Sequence, residues 1–367
     1  MTNNLSLYYH VPFCVKKCDY CAFYSLPNQD DSVKEEYFNA LYRQTEFLKT
    51  DRTITSVYFG GGTPPLLKVD RLCKLIDLIK SRFTMSENCE ITVEVNPKTV
   101  DRNDLLMLKN AGANRISVGV QSSDDRILAS IGRIHNFGDA VKCIKDARSV
   151  GFDNISADLI FALPDQTVDG FAKSVYDIMS TNVDHISAYS LQIEEGTPIY
   201  ERRESLNFPD EESEESQYGA LCEILTKNGF SHYEISSFAR DGFESKHNLN
   251  YWARGEYFGF GAGAHSFYMG KRFSTPCDVM RYIQLSGTSL FAPTDFDSAL
   301  PITETEAEEE RIMLGLRTNR GVLLPVHAHE NARRIADLGY GIFKDGVLAL
   351  NSKGFRVSNQ VISMVLV

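Results

Sequence analysis

Short apolar or alternating runs recur through the first half of the chain, and each is followed by a segment with helical spacing. The runs are typical of strands and cover residues 5–11, 56–60, 90–96, 115–121, 154–161 and 185–192. The helical segments between them cover residues 32–50, 69–83, 102–111, 139–150 and 168–179. This alternation predicts an α/β fold with a parallel sheet and helical crossovers, either an open sheet or a barrel of six units.

Chemically distinctive residues follow the ends of these predicted strands. A loop with three cysteines comes after the first strand, and GGGTPP (60–65) comes after the second. Glu94 lies near the end of the third strand, Gln121 ends the fourth, and Asp158 lies on the fifth. Because the carboxyl ends of parallel strands meet at one edge, we expect an active or binding site there.

The alternation stops after residue 205. Residues 206–290 contain an acidic helix, the strand-like run YEISSFA and an aromatic, glycine-rich stretch, which we interpret as an extension of a core at 1–205. Residues 295–367 contain helical segments and a hairpin signal in VLALNSKGFRV. Helices with a terminal hairpin predict a small, mainly helical, winged-helix-like C-terminal domain.

Composition excludes several classes of protein. The chain has 367 residues, of which 43% are hydrophobic, so it can bury a large core. Its formal net charge is -11 and no basic stripe stands out, so nucleic acid is not an expected partner. The start MTNNLSLYYHVPF has no signal-peptide pattern, and no apolar run approaches the roughly 18 residues of a membrane span. We therefore expect a cytoplasmic protein.

The segment HVPFCVKKCDYCAF holds Cys14, Cys18 and Cys21, whereas the other five cysteines are scattered and are typical of buried small hydrophobic residues. A structural zinc site needs four protein ligands, and His10 is the nearest fourth candidate. A [4Fe-4S] cluster has four irons, so three cysteines leave one iron open to an exogenous ligand. The triplet favours the cluster, and zinc or plain buried thiols are the alternatives.

The spacing C-x3-C-x2-C after a first strand resembles the cluster loop of the radical S-adenosylmethionine superfamily. The resemblance implies that Cys14, Cys18 and Cys21 ligate a [4Fe-4S] cluster whose open iron binds S-adenosylmethionine. It also implies that Tyr20, the aromatic residue before the last cysteine, covers the adenine side of that cofactor.

Five further motifs resemble the oxygen-independent coproporphyrinogen III oxidase family over about residues 5–355, namely YYHVPFCVKKCDYCAF, FGGGTPP, EVNP, GVQS and ADLIFALPDQT. This family implies a partial (β/α)6 radical S-adenosylmethionine barrel. By the resemblance, contacts to the cofactor come from Tyr8, Gly61, Gly62, Thr63, Glu94, Gln121, Arg133 and Asp158. Any one of these alone is equally typical of a solvated or core-edge residue, but an acidic pair such as Glu94 and Asp158 suits a cationic sulfonium and ribose hydroxyls.

Two departures separate this chain from the true oxidases of the family. Those enzymes carry a fourth cysteine where this chain has Phe23, and an N-terminal arm for which a motif beginning at Cys14 leaves no room. Both departures match the branch of HemW-like haem chaperones, which bind haem and pass it to acceptor apo-haemoproteins, membrane-associated ones included. The sequence thus favours a haem chaperone, as a monomer or homodimer, over an oxidase that decarboxylates coproporphyrinogen III.

The segment HNLNYW at 247–252 adds a candidate haem contact. His247 is a possible axial ligand, and Tyr251 and Trp252 could pack on a porphyrin face. The alternative is a hydrogen-bonded surface histidine in a loop beside a tryptophan that anchors the core. Because HNxxYW is characteristic of the chaperone branch, we predict haem contact by His247. His265 is a weaker candidate, and His10 is expected to support the cluster loop.

Overall fold

A computed structural model of the protein describes residues 3–286 and 301–366. Six predicted strands lie side by side, in chain order and in parallel, within an 11-stranded sheet. They are β1 (Asn4–Val11), β2 (Thr53–Gly61), β3 (Met85–Val95), β4 (Arg115–Gln121), β5 (Asn154–Phe161) and β6 (His185–Ser190). The prediction of a parallel α/β core is confirmed.

Helical crossovers connect these strands, and all of them except the short α4 match helices predicted from the sequence. They are α1 (Asp31–Phe47), α2 (Val69–Arg82), α3 (Arg102–Ala111), α4 (Asp125–Ser130), α5 (Phe137–Ser149) and α6 (Val168–Met179). Their ends carry the expected local signals. Asp101 caps α3 through a capping box, and Gly112 (φ 116°) ends the same helix in the left-handed region that glycine tolerates best.

Both edges of the six-stranded core are extended by later parts of the chain. Beyond β6 lies an antiparallel hairpin, β7 (Ser231–Glu234) and β8 (Ser237–Ala239). Beyond β1 lies β9 (Tyr257–Phe260), which runs parallel to β1, followed by antiparallel β10 (His265–Tyr268) and β11 (Lys271–Ser274). The prediction that YEISSFA forms a single strand is therefore wrong, since a turn divides it.

The helices that follow α6 are α7 (Pro198–Glu201), α8 (Glu211–Lys227), α9 (Lys246–Trp252) and α10 (Val279–Ser286). The alternative of a surface loop at HNLNYW is also wrong, because these residues form α9. One hydrophobic cluster runs from Leu5 to Tyr282 through the core and the extension. At its centre the ring of Tyr9 stacks on Phe260 at 4.4 Å and on Phe59 at 4.9 Å. The division at residue 205 stays a prediction.

The C-terminal unit packs around a second hydrophobic cluster that includes Ile312, Leu348 and Val365. Its elements are α11 (Glu304–Gly315), β12 (Val322–Leu323), α12 (His329–Asp337), β13 (Gly341–Lys344), β14 (Val347–Leu350), α13 (Ser352–Arg356) and α14 (Ser358–Leu366). The predicted boundary between residues 290 and 295 lies outside the described residues.

The hairpin of the C-terminal unit lies earlier than the sequence analysis placed it. It joins β13 to β14 through Asp345 (φ 52°) and Gly346 (φ 82°), both in the left-handed region that a tight two-residue hairpin turn requires. Residues after Asn351 form α13 instead, because the Asn351 side chain accepts hydrogen bonds from two amides of that helix. None of the described helices is long and apolar enough to cross a membrane.

Candidate functional site

The cysteine loop leaves the carboxyl end of β1 and returns beside it. Phe13–Cys14 pairs in parallel with Leu26–Pro27, and the Leu26 amide donates to the Pro12 carbonyl at 2.6 Å. Within the loop the Cys21 amide donates to the Cys18 carbonyl at 3.1 Å. All three cysteines of the loop line one cavity of about 470 Å³. The fold therefore gathers the predicted cluster ligands on one wall.

Asp19 fixes the far side of this loop. Its amide donates to the Ile131 carbonyl at 3.0 Å, its carbonyl accepts from the Ile199 amide at 2.9 Å, and its carboxylate pairs with Arg202. A Cβ at Gly132 (φ 77°) would lie 2.6 Å from an Asp19 carboxylate oxygen, so Asp19 can approach the backbone here only because residue 132 is glycine. The loop is thus held from two directions.

Most of the predicted cofactor contacts line the same cavity. The cavity wall includes Tyr20, Gly61, Gly62, Thr63, Glu94, Gln121, Arg133 and Asp158. Gln121 ends β4 with φ 73°, a left-handed conformation that is uncommon outside glycine. Tyr8 and His247 are the two predicted site residues that are not part of the wall.

The second strand ends in glycines because the cysteine loop packs directly on it. A Cβ at Gly61 (φ 108°) would lie 2.5 Å from the His10 ring, and one at Gly62 would lie 2.7 Å from the Phe13 carbonyl oxygen. The two ring nitrogens of His10 are engaged by the Tyr8 hydroxyl and the Tyr24 carbonyl, each at 3.0 Å. Tyr8 and His10 therefore support the loop from below the cavity.

A chain of hydrogen bonds connects two of the cysteines. Arg133 donates to Cys18 Sγ at 3.5 Å and to Asn96 Oδ1 at 2.6 Å. Asn96 Nδ2 donates to Thr63 Oγ1 at 2.7 Å, and the Thr63 hydroxyl lies 3.8 Å from Cys14 Sγ. We infer that Arg133 orients part of the ligand set.

Burial favours the protonated form of two of the three thiols. Burial raises the pKa of Cys14, with a smaller opposing effect of the Thr63 hydroxyl. Burial likewise raises the pKa of Cys21. Metal binding must therefore displace protons from both thiols.

Two carboxyl groups face the cavity from β3 and β5. Glu94 accepts hydrogen bonds from the Tyr58 hydroxyl at 2.7 Å and from the Gly61 amide at 3.2 Å. The pKa of Glu94 is raised to about 7, chiefly by burial and in part by the nearby Asp158, and the hydrogen bond from Tyr58 opposes this shift. Burial also raises the pKa of Asp158, whose carboxylate accepts from Ser117 at 3.1 Å. Both groups gain from a cationic ligand, which favours their ionised forms.

Several wall residues were missed by the sequence analysis. Arg115, Ser117 and Gly119 were not predicted, and they occupy alternate positions of β4 that lead to the predicted Gln121; all four line the cavity. Side chains at such a spacing share one face of a strand. Polar residues at alternate positions of a predicted strand were therefore the sequence signal that could have identified these wall residues.

His247 is buried, with 1% of its surface exposed. Its Nδ1 lies 2.9 Å from the Ser56 hydroxyl, and its Nε2 lies 2.9 Å from the Tyr251 hydroxyl. The Glu90 carboxylate accepts from the first amides of α9, those of Lys246 at 3.0 Å and of His247 at 3.1 Å. Haem ligation by His247 stays a prediction, and it requires one of its side-chain hydrogen bonds to break.

Comparison with known proteins identifies the family to which this site belongs. The sequence profile of the radical SAM superfamily matches residues 8–178. Over 346 residues the chain is 38% identical to the heme chaperone HemW of Bacillus subtilis (strain 168), covering 93% of this chain and 90% of that protein. The chain belongs to the HemW family. It is also 32% identical over 376 residues to HemW of Mycobacterium tuberculosis, covering 98% and 94% of the two chains.

The structure of this HemW family member resembles coproporphyrinogen III oxidase (HemN) from Escherichia coli, a radical SAM enzyme. The TM-score is 0.84, with 20% identity, over 99% of this chain and 90% of the oxidase. At this identity the match establishes the shared fold, including the radical SAM barrel. The predicted fold class is confirmed.

Membership of a radical SAM family implies a [4Fe-4S] cluster and S-adenosylmethionine, and the site fits both. The three thiols line one cavity, and Gly61 and Gly62 at the end of β2 line it beside them. Carboxyl groups that prefer a cationic partner lie across the cavity. The iron-sulfur interpretation is therefore favoured over zinc.

The first prediction concerns the ligands. Cys14→Ala, Cys18→Ala and Cys21→Ala should each lose most of the iron and sulfide bound after anaerobic reconstitution, because each change leaves an iron without its thiolate. The exposed Cys277 lies outside the cavity, so Cys277→Ala is the matched control and should retain both. Zinc in place of iron and sulfide in the reconstituted wild-type protein would contradict the assignment.

The second prediction concerns Glu94. Its pKa is raised to about 7, so its carboxylate forms as the pH rises through that value and then attracts the cationic cofactor. The affinity for S-adenosylmethionine should rise with pH through about 7 and level off above it. Glu94→Gln should remove this part of the pH dependence and weaken binding at pH 8 on the order of 10-fold, as expected for a charge-assisted contact.

Isothermal titration across the pH range checks the Glu94 prediction. The amino group of the cofactor also titrates, so the informative quantity is the difference between the curves of the wild type and the variant. Glu36→Gln changes an exposed carboxylate on α1 and serves as control. Parallel curves for the wild type and Glu94→Gln would show that Glu94 does not meet the cofactor.

Proposed function

We propose that this HemW family member binds haem and transfers it to acceptor haemoproteins, and that it carries a three-cysteine [4Fe-4S] cluster with S-adenosylmethionine. The observation that carries the proposal is similarity over nearly the whole chain to proteins named heme chaperones. The full-length match matters because it includes the C-terminal unit as well as the barrel.

In this proposal Cys14, Cys18 and Cys21 hold three irons, and the fourth iron is available to S-adenosylmethionine. The cluster can supply an electron for cleavage of the sulfonium. Glu94 and Asp158 provide negative charge for the cationic cofactor, and Arg133 keeps the ligand loop in place through Cys18 and Asn96.

Phe23 supports a chaperone rather than an oxidase. It lines the cavity where the oxidases of the family carry a further cysteine, and 69% of its surface is exposed. An exposed phenylalanine cannot ligate a metal and gains by covering itself with an apolar partner. The second candidate function is oxidative decarboxylation of coproporphyrinogen III, and the likeness to the E. coli oxidase over 99% of this chain is what favours it.

The third prediction separates these two functions. The anaerobically reconstituted protein should bind haem near stoichiometrically, with a shifted Soret band, and should pass it to an apoglobin. With coproporphyrinogen III, S-adenosylmethionine and a reductant it should form no protoporphyrinogen at rates useful for catalysis. Rapid protoporphyrinogen formation would support the oxidase. Failure to bind haem with or without the cluster would contradict the chaperone.

The fourth prediction concerns His247, which the sequence favours as a haem ligand. If it ligates haem, His247→Ala should shift the Soret band and weaken binding. Tyr251→Phe is the informative companion, because it releases His247 Nε2 from its hydrogen bond while keeping the imidazole and the aromatic packing. If His247 is a ligand, the Tyr251→Phe variant should bind haem at least as well as the wild type does. An unchanged Soret position in His247→Ala would show that the histidine is not a ligand.

A further inference from the structure

A second cavity lies beside the cysteine cavity, between the barrel and the C-terminal unit. Its volume is about 960 Å³, at the upper end of the range of small-molecule pockets. One wall comes from β5, β6 and α8, and the other from Arg317, α13, α14 and the start of β13. We call this cavity the interdomain groove.

Aromatic residues line the interdomain groove, although most of them are largely buried. They are Phe161, Tyr189, Tyr218, Tyr340 and Phe355, of which Tyr189 is 45% exposed and Tyr340 is partly exposed. Tyr189 also lines the cysteine cavity. Surface of this kind binds flat, apolar rings by stacking and edge contacts.

Cationic groups lie on the C-terminal wall of the groove. They are Arg317, Lys353 and Arg356. The Nε of Arg317 is buried and has no hydrogen-bond partner among the described residues, which is costly for a guanidinium. Its Nη2 makes only a long contact of 3.4 Å to Asn359. The Nε atom has no exposed surface, so an anionic ligand in the groove would bond the terminal nitrogens of Arg317.

The opposite wall carries acidic groups, and the protein partly neutralises them. Glu214 accepts a hydrogen bond from Ser190, and Glu215 pairs with Arg356. Glu211 lies at the exposed start of α8. An anionic ligand would therefore direct its charged groups toward Arg317 and Lys353, away from α8.

The groove and the cysteine cavity share three residues. Tyr189, Ser190 and Gln192 line both. They come from the end of β6 and the loop after it. A molecule in the groove would therefore share a protein wall with a cofactor in the barrel.

We propose that the interdomain groove is the haem site, with the porphyrin ring against Tyr189 and Tyr340 and the propionates toward Arg317 and Lys353. This inference rests on the proposed function and locates haem binding in the interdomain groove. A flat apolar ring with two carboxylates matches an aromatic groove that has cations along one wall. In this conformation the assignment excludes ligation by His247, which lies inside the barrel.

The HNxxYW motif gains an indirect role from this assignment. Trp252, at the end of α9, lies 5.9 Å below the guanidinium of Arg317 in a cation-π arrangement. His247 anchors the start of the same helix in the barrel. We therefore assign His247 and Trp252 as positioning residues for the groove.

The fifth prediction tests the groove in the reconstituted full-length protein with haem as the probe. Arg317→Gln and Lys353→Gln should each raise the Kd of haem on the order of 10-fold. The dimethyl ester of haem lacks the propionate charges, so its Kd should differ little between these variants and the wild type. Arg334→Gln, on an exposed part of α12 outside the groove, is the matched control and should bind as the wild type does. Circular dichroism and iron content should be unchanged in all three.

The shared wall gives a second, independent readout. S-adenosylmethionine should change the Kd of haem, and haem should change the Kd of S-adenosylmethionine by the same factor, because coupling between two sites is reciprocal. Tyr189→Ala should bring this factor toward one. A His247→Ala variant should bind haem more weakly with the same Soret position, since its role here is to hold α9.

The outcomes separate the groove from the function itself. If wild-type protein binds haem, but both groove variants bind as tightly and His247→Ala alters the Soret band, the groove assignment is overturned and the chaperone proposal stands. If wild-type protein binds no haem, the chaperone proposal fails first. Loss of haem binding in the groove variants with an intact fold and cluster supports the assignment.

Discussion

The packing of His10 against the end of β2 determines where the cysteine loop can lie. Gly61 and Gly62 leave no room for a Cβ between that strand and the loop. His10 reaches across from β1 and accepts or donates at both ring nitrogens, one of them toward the Tyr24 carbonyl on the returning limb. Because both limbs are held in this way, the three thiols face the cavity instead of bulk water. The glycine motif is thus a packing requirement of the cluster loop as much as a cofactor contact.

The parallel core could be predicted because its signals are local. Each strand of the first half is a short apolar run, and each crossover has helical spacing and its own cap, as Asp101 and Gly112 show for α3. The candidate site followed from topology, since parallel strands bring their carboxyl ends together whatever the details of packing. Glu94 and Asp158 could therefore be placed in one cavity although they are far apart in the sequence.

The features that the sequence did not reveal depend on long-range contacts. Helix α9 has only seven residues, too few for a periodic signal, and its first amides need the distant Glu90 carboxylate. The burial of His247 follows from Ser56 on β2 and could not be deduced from its neighbours in the chain. The turn at Asp345 and Gly346 does have a local signal, an aspartate followed by a glycine, but the sequence analysis placed the hairpin turn at the next glycine in the chain.

Charge explains why the two cavities suit different ligands. In the cysteine cavity Glu94 and Asp158 are hard to ionise alone, so the cavity favours a cation that arrives with its own charge. In the interdomain groove the Nη2 of Arg317 makes a long hydrogen bond of 3.4 Å to Asn359, and an anion there would bond this nitrogen more closely. Tyr189 lines both cavities. A cationic cofactor in one cavity and an anionic porphyrin in the other would attract each other across the shared protein wall. Electrostatic interactions through such a wall are less screened than in water. Occupation of one site should therefore bias the other, which is the property that a carrier needs if release of its cargo is to depend on the state of its cofactor.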